Sequence, residues 1–161
     1  MPREISSGII IYKREKDRDE KIDTKYLLLY HGRGYWNFAK GKLEKGELSY
    51  QAAFREVVEE TGIPSRALRL EKNFKVTDKY IYQWEGQKIF KIVIFFLAEA
   101  TKPEIKLSWE HEGYGWFLHN DAQKLLKHKN SKEILRKANE HIRRKSLPNR
   151  PLLPPSPRPN L

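Results

Sequence analysis

The segment from Ser49 to Thr61 constrains the fold most, because its apolar and acidic residues separate onto different arcs of a helix. Advancing about 100° per residue, Tyr50, Ala53, Phe54, Val57 and Val58 form one apolar arc, while Glu56, Glu59 and Glu60 fall on another. Such a helix packs on a sheet and directs three carboxylates away from it. Ser49 is the expected N-cap. Gly62 stands at the expected stop, with Pro64 just beyond.

The three carboxylates sit where a helix tolerates them poorly. Glu56 and Glu60 are at i, i+4, and Glu56 and Glu59 at i, i+3, spacings at which like charges repel by ~0.2–0.5 kcal/mol. Glu59 and Glu60 also lie in the last turn, against the negative end of the helix dipole. Four positions further on stand Glu60, Ile63 and Pro64, so no helical lysine or arginine is expected to compensate. A hard cation, magnesium or manganese, relieves such an arrangement. The bland alternative is an ordinary solvated, glutamate-rich helix face.

Around this helix the chain reads as sheet. Residues 4–13 read as a strand, and the charged run REKDRDEKID after it reads as a loop. YLLLYH, at 26–31, is continuously apolar and predicts a strand covered on both faces. Alternation over 68–82, a turn at Glu85-Gly86 and the apolar run at 88–100 predict a hairpin, and 114–118 a short strand. Helices are expected at 119–128 and 131–145, the second with Ile134, Leu135, Ala138 and Ile142 at helical spacing. Six of the nine prolines fall in 148–159. One domain over 1–146 is expected, followed by an extended, disordered tail over 147–161.

Composition removes several chemistries. There is no cysteine, which excludes a disulfide framework, a thiolate nucleophile and a cysteine-ligated metal. The longest apolar stretch, 92–98, is seven residues against the ~20 that span a bilayer. The N-terminus lacks the apolar region of a secretory signal, so a cytoplasmic protein with no membrane association is expected. The net charge of +11 is concentrated at the C-terminal end, where residues 121–161 hold eleven Lys and Arg against three Asp and Glu. That excess suits a polyanion such as RNA, or is simply a solvated helix face.

Gly41 to Ile63 reads GKLEKGELSYQAAFREVVEETGI. Five residues separate Gly41 from Glu47, and seven more lead to Arg55, Glu56 and Val57, then Glu59, Glu60, Gly62 and Ile63. This spacing resembles the Nudix box at every fixed position. The resemblance implies an α/β fold, the Nudix α/β/α sandwich with a central mixed sheet, and metal-dependent hydrolysis of a pyrophosphate bond in a nucleoside polyphosphate. It implies metal ligation by Glu56, Glu59, Glu60 and the Gly41 carbonyl. It also implies a catalytic set of Glu59, Glu56 and Arg55, with Glu59 or Glu56 as general base and Arg55 paired to Glu47 to shape the loop. Lys40 and Lys42 are candidate phosphate contacts, or plain surface lysines.

Beyond the box, GIIIYK, YLLLYHGRGYWNFAKGK, YIYQWEGQKIFKIVIFFLAEA and LSWEHEGYGWF resemble the asymmetrical diadenosine tetraphosphate hydrolases over residues 3 to about 145. That likeness implies a further acid for metal or base work at Glu110, with Glu112 a weaker candidate. It implies base stacking at Tyr80 and Tyr82, whose alternative is hairpin packing, and a phosphate contact at Lys91. Ala39 departs from the pattern, which usually has proline there. Three other functions compete: an RNA 5′-pyrophosphohydrolase using the basic C-terminal helix, an enzyme acting on inositol pyrophosphates or other small diphosphates, and a non-catalytic Nudix module that binds nucleotide or RNA. The intact glutamate set argues against the last.

Overall fold

A computed structural model describes residues 1–146. The proline-rich tail expected at 147–161 lies outside the described residues. The sheet is built around β1 (Arg3–Lys16). Along one edge β1 pairs antiparallel with β4 (Ala39–Lys42) through its first half and with β2 (Ile22–Tyr30) through its second. Along the other edge it runs parallel to β7 (Gln87–Ala100), from Arg3 opposite Phe90 to Tyr12 opposite Glu99. β2 also carries β3 (Trp36–Asn37) and β8 (Gly113–Leu118). β7 carries β5 (Leu68–Leu70) and β6 (Val76–Trp84). One parallel pairing among antiparallel ones makes the eight-stranded sheet mixed.

The unbroken apolar runs are explained by two cores. On one face Ile9, Ile11, Leu27, Leu29 and Ala98 pack against Ala53 and Val57 of α1 (Ser49–Thr61). On the other, Ile10, Tyr26, Leu28 and Leu97 pack against Leu135, Ala138 and Ile142 of α3 (Lys129–Ser146), with α2 (His119–Leu125) beside it. Strand side chains alternate between faces, so a strand covered twice must be apolar at every position. Burying each large side chain contributes about 1.5–3 kcal/mol. Polar pins reinforce the α3 side: Glu71 accepts from the Tyr12 hydroxyl and from Lys145 Nζ at 2.9 and 3.0 Å.

Three expectations need correction. Half of the charged run after residue 13 is strand, and only residues 17–21 form the loop. β1 continues to Lys16 and β2 starts at Ile22, because Glu15 on β1 pairs with Lys13 and, across the hairpin, with Lys25. Ser49 is the first helical residue rather than the cap. Leu48 occupies the cap position with extended backbone, and Gln51 Oε1 accepts its N–H at 2.9 Å. Finally, α1 is rotated about its axis from the expected pose: Tyr50 and Val58 are exposed, while Ala52, Ala53, Val57, Glu60 and Thr61 are buried. The carboxylates therefore do not all leave the sheet, because β4 covers the Glu56–Glu60 flank.

Candidate active site

The site begins where β4 crosses α1. At Gly41 a side chain would overlap the Glu56 carboxyl; the missing Cβ is what lets that carboxylate reach the strand. One turn on, Glu60 is 7% exposed. Its neighbours are Glu56, whose charge raises its pKa, and Lys40, whose charge lowers it. Burial, and next the Glu56 charge, push the Glu60 carboxyl up to about 8. Glu60 Oε2 is buried without a hydrogen-bond partner, an arrangement that costs about 1–3 kcal/mol unless something fills it.

Arg55 organises the rest. Its guanidinium grips Glu47 through Nε at 2.7 Å and Nη2 at 2.9 Å, and Nη2 also donates to the Lys42 carbonyl at 2.9 Å. The paired arginine holds the Glu47 carboxyl down at about 2. Nη1 reaches Glu56 Oε1 at 2.8 Å and Glu59 Oε2 at 3.3 Å. The expectation that no helical cation compensates the glutamates is therefore wrong: Arg55 stands four residues before Glu59 rather than after it. Glu59 itself is the outward member, its side chain 57% exposed.

A divalent cation fits this donor set. The residues offer two adjacent hard carboxylates, one orphaned buried oxygen and a glycine whose carbonyl lies on the same strand. Among the described residues, no three Asp, Glu or His side chains are already grouped as a metal cage. Glu59 turns outward, and Arg55 bridges it to Glu56.

The other candidate residues divide into two groups. Lys40 faces the α3 side, its Cβ 2.6 Å from where a Gly8 side chain would begin. Burial, then the charge of Lys91, lowers its pKa. Tyr80 stands with Lys40 in one cleft. Lys91, Lys42 and Tyr82 instead converge on Glu4. Lys91, 5% exposed, ion-pairs with it and bonds Ser6 Oγ at 2.6 Å. Tyr82 donates to Glu4 Oε2 at 2.7 Å, and Lys42 Nζ lies 3.3 Å from the same atom. Burial raises the Glu4 carboxyl, but Lys91, Tyr82 and Lys42 prevail and hold it at about 2.

Glu110 is exposed, and it is the next residue, His111, that is buried with its Nε2 3.6 Å from Glu60 Oε2. Ser108 Oγ fixes the other ring nitrogen at 3.0 Å, and His31 packs edge-on at 4.6 Å between centroids. Glu112 lies against Gly32. Sequence reasoning missed His111, Glu4 and Gly8. The pairing of Lys91 with an acid at the start of the parallel neighbour is visible only once the β1–β7 register is known.

Fold and site together define a class: an α/β/α sandwich that sets a glutamate cluster on one helix beside a lysine-lined cleft. The profile described as NUDIX domain matches residues 4–138, and the chain belongs to that family. It is a pyrophosphohydrolase by its relatives. The asymmetrical bis(5′-nucleosyl)-tetraphosphatase of Sus scrofa is 32% identical over 140 residues, covering 84% of this chain and 92% of that protein. The Caenorhabditis elegans protein of the same name is 29% identical over 133 residues, covering 82% and 91%. A crystal structure of a C. elegans Ap4A hydrolase binary complex superimposes with a TM-score of 0.73 at 28% identity, covering 87% of this chain and 98% of that one. For the described residues, no helix is long and apolar enough to cross a membrane.

Proposed function

We propose that this protein hydrolyses dinucleoside polyphosphates, of the diadenosine tetraphosphate kind, at a phosphoanhydride bond with magnesium or manganese. One observation carries the reading: Glu60 Oε2 is buried beside Glu56 without a hydrogen bond, its nearest basic neighbour being His111 Nε2 at 3.6 Å. Buried carboxylates this close are stable when they hold a cation. The names of the tetraphosphatase relatives support the substrate class.

Glu56, Glu59, Glu60 and the Gly41 carbonyl would hold the ion. When bound, it neutralises phosphate oxygens and makes water a stronger nucleophile. The chain's own residues do the rest. Arg55 fixes the direction of Glu56 and ties the loop through Glu47 and the Lys42 carbonyl, a positioning role. Glu59 or Glu56 takes the proton as the water oxygen bonds to phosphorus and the bridging oxygen departs with the leaving phosphate. Lys40, facing the cleft, offsets charge that grows on that leaving group. Burial lowers its pKa, and a phosphate beside it would favour the charged form. Lys91 and Lys42 share Glu4 and act on phosphate through that network.

An RNA substrate has weaker support. Arg136 is held between Glu133 and Glu140, Arg144 by Glu140 and Lys145 by Glu71, so three of the seven lysines and arginines on α3 are already matched. The deciding experiment incubates the protein with magnesium and, separately, dinucleoside polyphosphates, nucleoside triphosphates and 5′-triphosphate RNA, with products resolved by chromatography. Cleavage of dinucleoside polyphosphates above the others is expected. Turnover of RNA alone would replace this reading.

A further inference from the structure

A cleft of about 510 Å³ opens on the α3 side of the sheet, between β6 and the start of α3. Val93 and Phe95 supply apolar surface, and Tyr35, Tyr80 and His128 contribute rings. His128 meets Tyr35 edge-on at 5.9 Å between centroids, and Tyr80 is 39% exposed. Apolar surface with accessible ring faces suits a flat heteroaromatic group. Lys40 lines the same cleft, and its charge and that of Glu60 act on each other, so the cleft and the glutamate cluster meet at one residue.

Among the residues lining the cleft, which include the donors Lys40, Lys129 and Ser131, Asp78 is the one carboxylate. Asp78 is half-buried in it, on β6 opposite Val93. Asn130 Nδ2 donates to Asp78 Oδ1 at 2.8 Å, which fixes the carboxylate and uses one of the amide's two N–H donors. What Asp78 offers a ligand is acceptor only. Adenine places an acceptor, N1, beside its amino group, whereas guanine presents two adjacent donors, N1–H and N2–H2. A carboxylate can take both guanine donors and leaves the adenine acceptor facing an acceptor.

We propose that this cleft receives a guanine base, read by the Asp78 carboxylate that Asn130 holds in place, so that guanosine polyphosphates are preferred over adenosine ones. The turnover arm of this proposal rests on the hydrolase reading above, whereas base preference is a property of the cleft alone.

The test measures kcat/KM on the full chain, with magnesium, for diguanosine, diinosine and diadenosine tetraphosphates. Inosine keeps N1–H and lacks the 2-amino group. The expected order is guanosine, inosine, adenosine, with guanosine ahead of adenosine by about tenfold or more. Asp78→Asn should collapse the guanosine-to-adenosine ratio by a similar factor. Equal values for the three substrates overturn the proposal. So does an equal loss on all three in Asp78→Asn, the result expected if Asp78 held ribose hydroxyls instead. If none is cleaved, the hydrolase reading fails, and calorimetry with GDP and ADP decides the cleft. Tighter GDP binding that Asp78→Asn abolishes upholds the proposal, and equal binding overturns it.

Discussion

Glu60 and Glu4 are two partly hidden carboxylates with opposite electrostatics. Glu60 is starved of donors and repelled by Glu56; Glu4 is surrounded by Lys91, Tyr82 and Lys42. Burial holds the Glu60 carboxyl at about 8, so without metal at pH 7 it is mostly protonated and glutamine replaces one neutral group by another. The metal-free Glu60→Gln protein should melt close to wild type, while turnover with magnesium falls about a hundredfold or more. Melting curves and initial rates check both halves, and retained turnover would strike Glu60 from the metal set. For Glu4 the sign reverses. Its folded pKa of about 2 lies below the ordinary 4.5, so its contribution is complete above pH 4.5 and disappears as pH falls toward 2. Glu4→Gln should cost about 1–2 kcal/mol at pH 7, after allowance for solvent screening, and very little near pH 2. Urea titrations at the two pH values measure the difference.

The contact between β4 and α1 shows where sequence stops being informative about an element. That 49–61 forms a helix ending at Gly62 follows from periodicity and a left-handed glycine, φ 73°. The rotation of that helix does not follow, because it is set from outside. Gly41 leaves room for the Glu56 carboxyl, and Arg55 ties the helix to Lys42 and Glu47, residues outside the helix but adjacent to it in space. An apolar count over 49–61 favours Tyr50 and Val58 as buried. The protein exposes both and buries Glu60, because the site outweighs the pattern. Gly41→Ala tests this contact. The obstructed atoms are the end of a flexible side chain, so the fold should survive with a small loss of stability, while Glu56 is displaced and turnover falls about 10- to 100-fold. Circular dichroism alongside rate measurements separates the two effects. An alanine variant with full turnover would show that Glu56 acts from another position.

Across the whole molecule, one sheet separates two cores, and the two halves of the site lie on opposite sides of it. The glutamates belong to the α1 face with Val57 and Ile63, whereas the cleft belongs to the α3 face with Val93 and Phe95. Gly8 lets the strands come close enough for Lys40 to join them, its side chain lining the cleft and its charge acting on Glu60. Sequence alone assigns both faces of β2 over residues 26–29, since only a doubly covered stretch is apolar at every position, but it cannot say that Asp78, Asn130 and Lys40 meet. Those residues are 38 and 52 positions apart along the chain and share no periodicity. This division predicts different kinetic consequences for core substitutions of similar chemistry. Leu135→Ala, in the fully buried layer under α3, should cost about 2–5 kcal/mol and loosen the wall that carries Asn130. KM should then rise more than kcat falls. Val57→Ala, one residue from Glu56, should cost about 2 kcal/mol and disturb the glutamates instead, so that kcat falls more than KM rises. Urea denaturation gives the stabilities, and steady-state kinetics well below each variant's melting temperature give the split. If both variants move KM and kcat in the same proportion, the sheet transmits strain between its faces and the two halves of the site are not mechanically separate.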